Sequence, residues 1–123
     1  MRSGTATSVR PRDMARLGQL YLDGGRVKGE QLLSADFVAD ATRPHSAGGP
    51  PEGVPYGYLW WLTDDCGFRS FFAGGFAGQY VTAVPELDLI VATTGDAAVF
   101  IETSRNLRRL VPEVVVPTIS QLA

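Results

Sequence analysis

One ten-residue segment limits the possible folds of this chain more than any other, and it reads Phe71-Phe72-Ala73-Gly74-Gly75-Phe76-Ala77-Gly78-Gln79-Tyr80. Aromatic residues on both sides of it are typical of β-strands, yet three glycines interrupt the pattern. A glycine inside a strand usually marks a bulge or a place where a ligand or another backbone approaches closely. We therefore expect this segment to line a cleft. A bulge, or tight packing against a helix, is the alternative explanation of the same glycines.

Strand-like segments surround these glycines at regular intervals. Residues 56–62, 68–73, 79–84 and 89–94 are rich in aromatic and β-branched side chains. They are separated by short turn sequences, Asp64-Asp65-Cys66-Gly67 and Pro85-Glu86-Leu87-Asp88. Short turns join antiparallel neighbours, because a parallel pair needs a long crossover. The second half of the chain thus predicts an antiparallel meander.

Helices are predicted on both sides of the meander. The first begins near Pro11, carries an apolar stripe and stops at Gly24-Gly25, where glycine allows a left-handed end. Its stripe consists of Met14, Leu17, Leu20 and Tyr21. The second begins after Ser34 as N-cap and ends by Pro44. The third is expected to run from Asp96 to just before Pro112, with its buried side formed by Phe100, Ile101, Leu107 and Leu110.

Composition excludes several functions. The 123 residues suffice for one small domain, and a net charge of −2 argues against a nucleic acid or an anionic membrane as partner. Cys66 is the only cysteine and His45 the only histidine, so we expect neither a disulfide nor a metal site, and no cofactor. No signal peptide or membrane span is readable, and the compartment is therefore left open.

A family resemblance rests on four motifs in order. They are residues 12–25 (RDMARLGQLYLDGG), 56–61 (YGYLWW), 73–80 (AGGFAGQY) and 84–89 (VPELDL). Together they resemble the C-terminal part of the serine β-lactamase and penicillin-binding-protein-like hydrolases, closest to the class C-like esterase and 6-aminohexanoate-dimer hydrolase branch. The resemblance spans nearly the whole chain. It implies an α/β (α+β) fold in which helices pack on an antiparallel sheet, with residues 1–123 forming a single partial domain that lacks the N-terminal catalytic part.

The resemblance also shows which catalytic groups this sequence lacks. The family uses a Ser-x-x-Lys nucleophile and base, a Tyr-x-Asn or Ser-x-Asn loop, and a Lys-Thr-Gly-like strand. The only lysine is Lys28, and Gly25 stands three residues before it, so Ser-x-x-Lys is absent from these residues. Ser104-Arg105-Asn106 spells the second pattern, but it follows the third one in sequence and is interpreted as a coincidence.

The third family motif carries over with changes. Ala73-Gly74-Gly75 falls where the family has Lys-Thr-Gly or His-x-Gly, and these residues are expected to bind substrate. The resemblance makes the backbone N–H of Phe76 part of the oxyanion hole, and such a donor survives any change of side chain. Tyr58 is placed at the cleft mouth, with a half-buried strand position as the alternative. Because Ala73 has no charge, an ester or amide substrate suits the site better than a β-lactam carboxylate.

The function expected from the sequence is therefore that of a segment. It would belong to a β-lactamase-family serine hydrolase that acts on an ester, amide or lactam bond through an acyl-enzyme, and it would be inactive alone. Its partners would be that small-molecule substrate, in the complete protein, and either the missing N-terminal portion or a second copy covering an exposed sheet edge. The alternative is a non-catalytic product: a truncated gene product, or a binding module that retains only the cleft strand.

Overall fold

An antiparallel sheet with helices on both of its faces forms the core of the protein. The computed structural model describes residues 11–49, 52–74, 80–93 and 109–122. The strands of the main sheet neighbour each other in chain order, and every neighbouring pair is antiparallel. Its strands are β3 (Trp61–Thr63), β4 (Ser70–Gly74), β5 (Tyr80–Val84) and β6 (Leu89–Thr93). The predicted α+β class and antiparallel meander are confirmed.

The first helix, α1 (Pro11–Leu22), ends just before the predicted glycine stop. Its contact face differs from the predicted stripe, because Leu17 is 49% exposed whereas Gly18 and Tyr21 are buried. Gly18 brings the helix close to the sheet: a Cβ atom at this position would lie 2.9 Å from Cγ2 of Val81. The prediction for Leu17 was wrong because the face of α1 that packs on the sheet includes Gly18, and a glycine is not recognised as part of an apolar stripe.

A two-stranded hairpin follows α1 and leads into the second helix. Strands β1 (Arg26–Val27) and β2 (Glu30–Gln31) are joined by Lys28 and Gly29, both with positive φ, as a type I′ turn requires. The helix α2 (Ala35–Ala41) begins after Ser34, whose Oγ accepts a hydrogen bond of 3.1 Å from the backbone N–H of Phe37. The predicted N-cap is therefore confirmed.

Two apolar clusters cover the two faces of the sheet. On the first face, α1 and α2 pack over a cluster that includes Trp60, Phe71 and Val81. On the second face, a helical segment at the end of the described chain packs over Val84 through Val111 and Val116. That segment is a π-helical stretch (Val111–Val115) continued by α3 (Val116–Leu122). The sheet is thus the middle of three layers.

Two of the predicted elements need correction. The aromatic strand was expected over residues 56–62, but regular pairing starts only at Trp61, because Leu59 has a φ of 71° and turns the chain sharply. Tyr56 forms an isolated bridge to Trp61 across that turn. Pro112 was expected to follow the last helix, yet it lies in the first turn of Val111–Val115, where a missing N–H costs little. Leu110, predicted to be buried, is 38% exposed.

Candidate functional site

The glycine-marked strand, which is predicted to line a cleft, reaches one end of the sheet at Gly74. The register pairs Ala73 with Val81 and Gly74 with Tyr80, so β4 ends where β5 begins. The first residue of β3 and the last residues of β6 lie at the same end. Gly75 and Phe76, the remaining predicted residues of this strand, lie outside the described residues, as does Ser104-Arg105-Asn106. Their roles stay predictions.

Ala73 and Gly74 face opposite sides of the sheet, since neighbouring residues of a strand alternate. Ala73 is half-buried and packs against the cluster under α1 and α2. Gly74 is exposed and faces the ring of Tyr80, and a Cβ atom at position 74 would lie 2.6 Å from Cε1 of that ring. Only a glycine leaves room for the ring here. The structure therefore supplies a packing reason for Gly74, beside its predicted role in substrate binding.

Tyr80 connects the end of the sheet to a loop. Its ring is buried, and its hydroxyl group lies 3.3 Å from Oε2 of Glu52. The same loop contacts Trp61: a Cβ atom at Gly48 would lie 3.3 Å from the indole ring, and the Tyr56 ring meets the indole edge-on at 4.7 Å. The loop residues 46–49 and 52–56 therefore border this end of the second face. Sequence reasoning missed both Glu52 and Tyr80.

The sequence contains a pattern that could have identified Tyr80 as a site residue, but it contains none that could have identified Glu52. In an antiparallel pair with a short connection, the residue opposite a strand glycine is often a large ring that uses the vacant space. That pairing would have singled out Tyr80. Glu52 is separated from Tyr80 by two strands and several turns, so nothing in its local sequence indicates the contact.

Tyr58 lies in a different group of residues. Its ring stacks on His45 with centroids 4.0 Å apart, and the ring of Phe37 lies 6.4 Å away on α2. The backbone N–H of Tyr58 donates to the carbonyl of Ala41 at 2.9 Å. These contacts attach Tyr58 to the end of α2, while Gly74 contacts Tyr80. Tyr58 is 43% exposed, which leaves part of its ring open to a ligand.

His45 is held by the end of α2. Its Nε2 atom lies 2.7 Å from the carbonyl oxygen of Asp40 and 3.6 Å from Oδ1 of that residue. The Asp40 carboxylate also accepts a hydrogen bond of 2.6 Å from Nε of Arg43. That hydrogen bond, together with the positive charge of Arg43, holds the pKa of Asp40 below its ordinary value, against a smaller opposing effect of burial. The contacts of His45 with Asp40 therefore resemble those of a residue that caps the C-terminal end of a helix more than those of a catalytic acid–base pair.

Three of the described serines are used in local structure. Ser34 caps α2, the hydroxyl of Ser70 donates to the carbonyl of Thr63 at 3.1 Å, and Oγ of Ser46 accepts from the N–H of Gly48 at 3.3 Å. A nucleophilic serine needs a base within hydrogen-bond reach. The contacts recorded for these three hydroxyls are instead with the backbone. Within the described ranges, no cluster of three or more His, Cys, Asp or Glu residues could hold a metal ion.

Comparison with known proteins places these features in a family context. The family described as Beta-lactamase matches residues 3–112. A solved structure from Bacillus anthracis, assigned as a 6-aminohexanoate-dimer hydrolase, aligns with 25% sequence identity and a TM-score of 0.59. The alignment covers 85% of this chain but only 29% of that protein. A search of curated protein sequences gives no significant match. Among the helices that the structure describes, none has the length and apolarity needed to span a bilayer.

Proposed function

This chain belongs to the beta-lactamase family, and on that premise we propose that it is the C-terminal segment of a serine hydrolase that cleaves an ester, amide or lactam bond through an acyl-enzyme. The segment would form one wall of the active site and donate one backbone N–H, that of Phe76, to the oxyanion hole. The nucleophile and its base would come from another part of the domain. Alone, the segment would be inactive.

The observation that carries this proposal is the placement of the glycine-marked strand. Gly74 ends β4 at the same end of the sheet as the start of β5, and the predicted donor follows two residues later. The Tyr80 ring takes the space beside Gly74, whereas Gly75 would leave room for a substrate carbonyl to approach the backbone N–H that follows it. Such a donor stabilises the developing oxyanion by about 2.7–4 kcal/mol in other hydrolases.

The substrate we favour is an ester or amide without a recognition carboxylate. Ala73 stands where the family carries a cationic or imidazole side chain, and its methyl group packs into the core under α1 and α2. No positive charge is therefore supplied at this position to bind a β-lactam carboxylate. The structural relative is assigned as a 6-aminohexanoate-dimer hydrolase, a name that supports an amide as the bond to be cleaved and says nothing against a carboxylate on the substrate.

Measuring turnover of the isolated chain tests the first part of the proposal. The chain is incubated with a chromogenic β-lactam and with a short-chain nitrophenyl ester, and a heat-treated sample serves as control. We expect no turnover above the control, because the nucleophile and its lysine base supply most of the acceleration. Turnover that a serine-directed phosphonate abolishes would contradict the proposal and require a nucleophile within these 123 residues.

Complementation tests the second part. A segment bearing Ser-x-x-Lys is added, and acylation is followed by burst kinetics. Gly75→Val would place a branched side chain in the space for the substrate and should slow acylation far more than Phe76→Leu, which retains the N–H. Equal acylation rates in folded Gly75→Val and unmodified complexes would show that this strand is not the family's third motif.

A non-catalytic binding module remains the second candidate. The exposed part of the Tyr58 ring, stacked on His45 and close to Phe37, favours it, because stacked exposed rings can bind a ligand without any reaction. A complemented domain that binds the nitrophenyl ester but never acylates would support this candidate over the hydrolase.

A further inference from the structure

An open groove runs between α1 and the β1–β2 hairpin, on the side of the helix that faces away from the main sheet. Its volume is about 500 Å³, which lies in the range of ligand-binding sites. Arg16, Leu20 and Asp23 form the helix wall, and their spacing places them on one face, opposite the buried Gly18. The hairpin wall is formed by Arg26, Val27 and Lys28.

The groove is positively charged, although the chain as a whole is not. Three cations, Arg16, Arg26 and Lys28, and one carboxylate, that of Asp23, line it and give a net charge of +2, whereas the whole chain carries −2. The Asp23 carboxylate is already engaged, because both of its oxygens accept hydrogen bonds of 3.0 Å from Nε2 of Gln19. A local excess of positive charge attracts an anionic partner.

Each of the three cations keeps donors for such a partner. Among the described residues, no hydrogen bond or ion pair is recorded for the Lys28 ammonium group. Arg16 contacts Asp13 through Nη1 alone at 3.3 Å, and exposed pairs of this kind are weak. Arg26 is held in place by Gln31, to whose Oε1 its Nε donates at 2.8 Å. Since a guanidinium group carries five N–H donors, most of them remain for a ligand.

Apolar surface lies between these cations on both walls. Leu20 is half-buried between Arg16 and Asp23, and Val27 is 40% exposed in the hairpin. A small inorganic anion would leave this surface in water, whereas a ligand with an apolar part would bury it. The helix wall from Arg16 to Asp23 is about 10 Å long, at 1.5 Å per residue. That length matches about three residues of an extended peptide.

We propose that the groove between α1 and the hairpin binds an acidic peptide segment of a partner protein, in which an apolar residue lies between two acidic residues. The apolar side chain packs on Leu20 and Val27. One carboxylate meets Lys28 and Arg26, and the other meets Arg16. This interaction does not depend on the proposed hydrolysis, because it uses none of the residues of the candidate site.

A peptide titration tests this inference. The probe is a capped five-residue peptide of alternating glutamate and leucine, with glutamate at both ends, added to the full ¹⁵N-labelled chain. We expect saturable amide shifts centred on Leu20, Val27 and Lys28. The matched control peptide has glutamine in place of each glutamate and should bind about fivefold or more weakly. Raising the ionic strength from about 0.01 M to about 0.15 M should weaken only the glutamate peptide, because salt screens exposed charges.

A pair of variants locates the binding surface. Lys28→Asn removes one charge and preserves the turn, because asparagine tolerates the positive φ of 52° at this position. We expect the glutamate peptide to bind this variant about two- to fivefold more weakly. Arg109→Gln removes one charge from an exposed side chain of the helical segment on the other face of the sheet, and it should leave the affinity unchanged.

Four results would overturn the inference. Equal affinity for the two peptides, or shifts centred outside the groove, would show that the cations do not select an acidic segment. A loss in Arg109→Gln as large as that in Lys28→Asn would make net charge the cause. Equal shifts with acetate at the same carboxylate concentration would reduce the groove to a site for small anions. Tighter binding of a single-stranded oligonucleotide of the same charge would assign it to nucleic acid.

Discussion

Gly74 and Tyr80 lie opposite each other on β4 and β5, and the tyrosine ring fills the space that a side chain at position 74 would take. The ring is 4% exposed and cannot swing freely into solvent. Its hydroxyl group also reaches Glu52. The glycine therefore leaves the space that the ring fills, and the ring in turn contacts the preceding loop through Glu52.

Replacing Gly74 by alanine should destabilise the fold. The added Cβ atom would lie 2.6 Å from Cε1 of Tyr80, so either the ring or the end of β4 must move. We expect a loss of about 1–3 kcal/mol, as for overpacking in other cores. Urea denaturation followed by circular dichroism measures the free energy of unfolding. The double variant Gly74→Ala with Tyr80→Leu should be less destabilised than the sum of the single changes, and simple additivity would refute the proposed contact.

Replacing Gly18 by alanine tests how closely α1 approaches the sheet. Alanine favours a helix over glycine by about 1 kcal/mol, but its Cβ atom would lie 2.9 Å from Cγ2 of Val81. Because this branched side chain is buried, we expect overpacking to outweigh propensity and the thermal midpoint to fall. A combined Gly18→Ala and Val81→Ala variant should recover part of the loss. A higher midpoint for Gly18→Ala alone would show that the helix can shift.

The cap of α2 makes a prediction about local stability. Ser34→Ala removes the acceptor for the N–H of Phe37 and should lower the free energy of unfolding by about 1 kcal/mol. Ser34→Asp retains an acceptor and adds a favourable charge at the helix N-terminus, so it should be neutral or stabilising. Chemical denaturation of both variants gives the comparison. Equal losses in the two would mean that the cap contributes little.

Acid should weaken the contact between Asp40 and Arg43. The folded-state pKa of Asp40 lies below its ordinary value of 3.8, first because of the hydrogen bond from Arg43. The stabilisation from this group is therefore fully present above that ordinary pKa and is lost as the pH falls through the lower, folded value. Asp40→Asn should flatten the dependence of unfolding free energy on pH between about 5 and 2. Arg43→Gln, which removes the donor of that hydrogen bond, should flatten it to a similar extent.

Much of the architecture followed from local sequence, because it depends on local chemistry. Ser34 is an N-cap, the Asp64-Asp65-Cys66-Gly67 turn is closed by a hydrogen bond from Gly67 to Asp64, and the strands pair in chain order. Each of these features requires only residues close together in sequence. Turn chemistry and capping are consequently readable without tertiary information.

The errors arose where distant contacts decide the conformation. Leu59 adopts a positive φ although leucine rarely does, and only the packing of Tyr58 beside α2 and of Trp60 in the core explains the turn. Pro112 was predicted to follow the end of a helix, because the sequence alone does not show that a helical segment starts just before it. In the candidate site, the roles of the glycine-strand residues stay predictions, and Glu52 was missed because its partner lies 28 residues away.

The two consecutive tryptophans give each layer of the molecule its own optical reporter. Trp60 is 1% exposed between the sheet and the first two helices, and its indole N–H meets no acceptor among the described residues. Trp61 is half-buried on the opposite face, beside Tyr56. Fluorescence of a Trp61→Phe variant would therefore follow only the buried layer between the sheet and the first two helices. Fluorescence of a Trp60→Phe variant would follow the more exposed opposite face. Coincident melting of the two signals would identify the sheet as the element that makes both layers a single cooperative unit.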